Sequence, residues 1–179
     1  MRNLICWCVI ALAAPALAQG SLDQSKALSE ARASLTSEFA KIQAQLRSQD
    51  TAARSAGEAG LAQLGPRVEA LRDQLVGANQ ALIQAFSAPP LFHGAYDPSA
   101  TIVKSLGKMM TENKELGAIS LITVPPFNPQ DINAYQRALD RLKRGIDEHR
   151  HAAGNHAATL IQRQRKPVQP AKSPAKLPN

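Results

Sequence analysis

The densest group of titratable side chains in this sequence is Asp147-Glu148-His149-Arg150-His151, with His156 just beyond it. Imidazoles and carboxylates set at i and i+4 share one face of a helix, which is the spacing a chelated metal ion needs. Asp147 and His151 meet that spacing. His149 and His156 lie two turns apart, about 10 Å along a helix axis, too far to share an ion. Neither His-Glu-x-x-His nor Glu-x-x-His occurs, so the two motifs that place helical metal ligands are absent. Asp147, His149, His151 and His156 are thus the only metal candidates, and the plainer expectation is different. His149 and His156 fall on an apolar seam, and Asp147 and His151 form a solvated pair. No metal and no cofactor is expected.

A second group is the run Phe92-His93-Gly94-Ala95-Tyr96, where aromatics flank an imidazole between chain breakers. Such a loop serves either as a recognition surface, through Phe92, His93 and Tyr96, or as a lid that tucks its rings over a bundle end. Met109 and Met110, with Ile102, Val103 and Leu106, offer a soft apolar face; core is the expected use. No Ser-His-Asp or Cys-His constellation, no Gly-x-Gly-x-x-Gly and no phosphate loop is present. The reading is a non-enzyme.

The elements that position these residues read as helices. The composition is poor in aromatics and rich in Ala, Leu, Gln, Glu, Arg and Lys, all good helix formers. From about Leu22 to Ser48, Leu28, Leu35, Phe39, Ile42 and Leu46 form one stripe. From Leu61 to Phe86, Leu61, Leu64, Val68, Leu71, Leu75, Ala78 and Leu82 alternate by three and four, the knobs-into-holes spacing. Pro66 sits inside this run, and proline disrupts a helix interior, so the helix is expected to start near Gly65 or to kink there. Gly57 and Gly60 either end a helix or loosen one. A third helix, Asn128-Pro129 to about Gln164, opens on a cap and a first-turn proline. It carries Ile132, Tyr135, Leu139, Leu142, Ile146, His149, Ala153, His156 and Leu160 on its seam.

Between the second and third helices lies an irregular insert, Ser87 to Asn128. Asp97-Pro98 starts a short helix in it. Leu116 to Val124 reads as a short strand or a buried helix end, since nine residues do not fix a period. The insert is expected to cap one end of the bundle. After Arg165, four prolines among lysines forbid helix, so residues 165–179 form a disordered basic tail. The expected fold is all-α: an elongated helical bundle, or coiled-coil hairpin, of three long helices over residues 19–164, with stripes paired inside the chain or between copies.

Residues 1–18 have the form of a signal peptide. Arg2 precedes an uncharged apolar run that ends in Ala16-Leu17-Ala18, a small-x-small cleavage pattern. The run is shorter than the roughly 20 residues a membrane-spanning helix needs. Cleavage after Ala18 would remove both cysteines, Cys6 and Cys8, and the only tryptophan, Trp7, leaving no disulfide chemistry in an oxidising compartment. The chain is therefore expected to be periplasmic or secreted.

The formal net charge of +7 divides unevenly. Fifteen Lys/Arg stand against fourteen Asp/Glu between Gln19 and Gln162, while Arg163 to Asn179 holds five bases and no acid. A near-neutral body speaks against a nucleic-acid-binding domain. The tail, through Lys166, Lys172 and Lys176, could adhere to anionic lipid or wall polymer or simply remain solvated.

The outline of long helices with a small irregular insert resembles minor-pilus components of bacterial type IV secretion systems, an architectural likeness that no motif carries. Periplasmic chaperones of the Skp type open on a β-strand, whereas Leu22 to Leu46 reads as helix from its start. The functional expectation is an exported, non-enzymatic helical protein acting through protein–protein contacts in the bacterial envelope. It would be a structural or assembly component, such as part of a secretion or conjugation apparatus, its partners other envelope proteins or a second copy paired through the heptad stripes. The alternative is a periplasmic ligand- or metal-binding bundle using His149, His151 and His156.

Overall fold

The structure, a computed structural model, describes residues 4–87, 104–108 and 119–165, with side chains over 20–85, 104–108 and 119–158. Three long helices carry the architecture: α1 (Leu4–Leu46), α2 (Thr51–Ser87) and α3 (Pro129–Arg165). At 1.5 Å per residue, the 37 residues of α2 or α3 span about 55 Å. The fold is an all-α bundle, with no strand among the described residues. The backbone of α1 runs without a break from residue 4 into the body.

The heptad stripes are the core. Leu28, Leu35, Phe39 and Ile42 of α1, the whole run Leu61, Leu64, Val68, Leu71, Leu75 and Ala78 of α2, and Tyr135, Leu139, Leu142 and Ile146 of α3 bury into one cluster. A smaller cluster further along joins Leu82, Ala152 and Ala153 to Leu106. Each stripe lacks enough apolar width to be stable alone in water, and burial against the other two supplies what helix propensity does not.

Contacts fix the directions of the helices. Leu46 meets Gly57, Ile42 meets Gly60 and Glu38 pairs with Arg67, so α1 and α2 run antiparallel as a hairpin. Phe39 stacks on Tyr135 and the Arg32 Nε–H donates to the Leu139 carbonyl, so α1 and α3 are also antiparallel. Tyr135 reaches Leu61 and His149 reaches Asn79, which makes α2 and α3 parallel. The chain between α2 and α3 must therefore travel back along the bundle. Its helical turn at 104–108 packs beside Leu82 and Ala152, and Ser105 approaches Glu148. The segment 119–128 returns along α2 to the start of α3. The described parts of the insert, 104–108 and 119–128, lie along the bundle, and whether the insert caps one end falls on residues 88–103 and 109–118, outside the described residues.

Both described helix starts are capped. Asp50 accepts the Ala52 N–H at 3.0 Å and begins α2. At α3 the Asn128 side chain accepts the N–H groups of Gln130 and Asp131, while the Asp131 carboxylate accepts the Asn128 N–H. This reciprocal pair satisfies amides that a helix start otherwise leaves without partners.

Three expectations require correction. The second helix begins at Thr51, not near Gly65, and continues through Pro66. Gly57 and Gly60 do not end it. A Cβ at Gly57 would stand 3.0 Å from Leu46 Cγ, and one at Gly60 3.0 Å from Ile42 Cγ1, so hydrogen at these positions lets α1 and α2 approach. Residues 119–124 are neither strand nor helix; they form an extended coil. Ile119, Leu121 and Thr123 are the less exposed positions, alternating with exposed Ser120, Ile122 and Val124. The alternation belongs to an extended chain, here laid on helices without a partner strand among the described residues.

Candidate functional site

The histidine region resolves into separate environments. His149 is fully buried between α2 and α3, and its Nδ1 lies 2.8 Å from Asn79 Oδ1. With the amide oxygen turned to the ring, Nδ1–H donates and Nε2 keeps its lone pair. Neither His149 Nε2 nor Asn79 Nδ2 has a hydrogen-bond partner among the described residues. A proton on Nε2 would add a charge in a site that offers it no solvation, and burial lowers the His149 pKa below its ordinary 6.5. His156, two turns further on, is also buried.

Asp147 and His151 are both exposed. Asp147 does not turn to His151: its carboxylate takes a 2.7 Å ion pair from Lys143, one turn earlier. Among the described residues no three His, Cys, Asp or Glu side chains are grouped so as to hold a metal ion. The four sequence candidates are thus divided between a seam and a solvated face. Phe92, His93, Tyr96, Lys166, Lys172 and Lys176 lie outside the described residues, as do Met109 and Met110.

A second site comes from the returning segment. Tyr135 is buried at the head of α3, and its hydroxyl lies 2.7 Å from the Ile122 carbonyl and 3.0 Å from that of Leu61. The phenol O–H thus links the extended segment to α2, donating to one carbonyl or shared between the two. Burial first, then the nearby charges of Glu69 and Asp131, push its pKa up to about 12. Gly65 makes room for this junction, since a Cβ there would fall 2.6 Å from Thr123 Cγ2 and 2.9 Å from the Tyr135 hydroxyl. Two turns along α2 from Gly65, Arg72 donates to the Ile119 carbonyl at 3.0 Å and also pairs with Asp73. Side-chain donors from two helices thereby satisfy carbonyls that a sheet would have paired.

On its other side the segment forms a recess with α3. Ile119, Ser120 and Leu121 make one wall, and Ala134, Arg137, Ala138 and Arg141 the other, around about 160 Å³. Alanines at 134 and 138 leave the space, and arginines at the same spacing rim it. Reading the sequence alone singled out neither Asn79 nor Tyr135 and Arg72 as functional anchors, nor this arginine pair. The visible signal was an Ala/Arg pattern repeating by four at the start of the third helix.

The class these features define is an all-α three-helix bundle closed by a crossover strap. Compared with known proteins, the chain matches no family model, and no curated protein or solved structure is significantly similar to it. No described helix is long and apolar enough to cross a membrane.

Proposed function

We propose that this chain is an exported, non-enzymatic helical protein that acts through protein–protein contacts in the bacterial envelope, as a structural or assembly component. The observation that carries this reading is where the reactive side chains are spent. His149 is committed to Asn79, the Tyr135 hydroxyl to backbone carbonyls, and Asp147 to Lys143. What faces outward is balanced charge and an apolar corner, with Ile122 53% and Val124 71% exposed beside Pro125-Pro126. Exposed apolar side chains suit contact with another protein.

Export fits the same reading. N-terminal sequencing of the exported chain should give Gln19 as its first residue. The basic tail, with Lys166, Lys172 and Lys176, would then hold the protein near anionic lipid or wall polymer.

The test is an affinity capture from envelope fractions, using the exported chain and a version ending at residue 162. Expected is a defined set of envelope proteins retained by both, with the tail changing only co-sedimentation with anionic vesicles. Capture of no protein above background by either chain refutes the contact reading. Vesicle binding indifferent to the tail refutes its adhesive role.

A further inference from the structure

We infer that the recess between the strap and α3 is a docking notch for an acidic side chain of a polypeptide partner. This rests on the protein-contact reading above and specifies the chemistry of the contact. Arg137 and Arg141 stand one helical turn apart on the rim, and no acidic residue lines the recess. Arg137 is exposed and makes no ion pair among the described residues. The Arg137 guanidinium presents a planar fork of N–H donors that matches a carboxylate, and the Arg141 side chain stands one turn away.

Most of the surface facing the recess is polar, and Ala134, Ala138, Ile119 and Leu121 supply a smaller apolar part, against which the methylene arm behind a carboxylate can rest. Size then selects the occupant. At about 160 Å³ the space lies below the several hundred Å³ of pockets that enclose a whole drug-sized ligand. It takes the end of one side chain whose backbone stays outside. The exposed apolar corner at Ile122 and Val124 continues the same strap, giving the rest of such a partner an apolar surface beside the notch.

The experiment is fluorescence anisotropy with the full chain and labelled alanine-rich peptides bearing a single Glu or, in its place, Gln. Amide chemical shifts locate the contact. Expected is saturable binding of the Glu peptide that perturbs residues 119–121 and 134–141. The Gln peptide should bind at least about tenfold more weakly, the loss of one charge-assisted contact. R137Q should show the same loss, and R150Q, on an exposed position of the same helix, should stay within about twofold. Ala134→Leu fills the notch without touching a charge and should also abolish the perturbation.

Equal binding of the Glu and Gln peptides, or an R137Q variant that binds as the parent does, overturns the notch. Glutarate saturating the same amides as tightly as the peptide overturns the assignment to a polypeptide. Repeating the envelope capture with R137Q separates the two levels. Partners kept by R137Q leave the contact reading standing and remove the notch, whereas no partner for either chain removes the contact reading itself.

Discussion

Acidification should weaken this bundle through one ring, His149. The imidazole is fully buried, donates to Asn79, and has its pKa lowered by burial. Its neutral form belongs to the folded state, while the unfolded chain takes up a proton below the ordinary value of 6.5. The contribution is therefore intact at pH 7.5 and is lost as pH falls below 6.5, at a slope that approaches about 1.4 kcal/mol per pH unit. A ring that stays neutral throughout costs at most about 2 kcal/mol at pH 5. In a chain of 179 residues that corresponds to a fall in Tm of at most about 4–8 °C. The assay is urea unfolding followed by circular dichroism from pH 7.5 to 5, on the parent and on His149→Gln. Glutamine keeps an amide partner for Asn79 and does not titrate. All other ionisable groups are common to both proteins, so the difference between the curves belongs to this ring. Parallel curves over the whole interval would refute the reasoning, as would a parent that gains stability on acidification relative to the variant.

The strap and the glycines give sharper tests. Gly65→Ala would place a Cβ 2.6 Å from Thr123 Cγ2 and 2.9 Å from the Tyr135 hydroxyl. It should destabilise by about 1–3 kcal/mol in urea unfolding, outweighing the helix-propensity gain of alanine. Gly77→Ala meets nothing within 4 Å on the same helix and should stabilise by about 1 kcal/mol in the same assay. Tyr135→Phe removes the donor to Leu61 and Ile122. It should cost about 1–3 kcal/mol and speed hydrogen exchange at residues 121–123. With its pKa near 12 against an ordinary 10.0, Tyr135 stays protonated when folded, so stability is complete below pH 10 and falls between 10 and 12. The loss is about 1.4 kcal/mol at pH 11, and Tyr135→Phe should not show it.

The stripes were legible because burial at a period of three and four is a local property of sequence. Every position from Leu61 to Leu82 on the α2 seam is buried as that spacing requires. What sequence could not supply were properties of pairs. Gly57 looks like a breaker until Leu46 is placed 3.0 Å from its missing Cβ. Pro66 should begin a helix, yet buried Leu61, Leu64 and Val68 flank it, and their packing outweighs one lost backbone bond. Asn79 adjoins the seam as an ordinary polar residue, and only His149, seventy residues away, gives it a partner. Asp147 has Lys143 and His151 equally spaced on either side, and it pairs with Lys143. The period of residues 119–124 is extended, but the burial that reveals it depends on two helices distant in sequence.

The parallel course of α2 and α3 links the fold to the proposed contact. Antiparallel neighbours are joined by a few residues, as the turn between Leu46 and Thr51 shows. Parallel neighbours need a connection that runs back along the bundle, as residues 119–128 do here. The returning strap is held through Tyr135, Arg72 and the space at Gly65, and its residues Ile119, Ser120 and Leu121 make one wall of the notch. The notch exists only while the strap is seated. Gly65→Ala, which crowds the strap from beneath, should therefore weaken the Glu peptide although it touches neither arginine. Gly77→Ala, which leaves the strap in place, should not. Equal affinities for these two variants, with both folded by circular dichroism, would mean that the peptide recognises the arginines of α3 alone and that the strap plays no part in recognition.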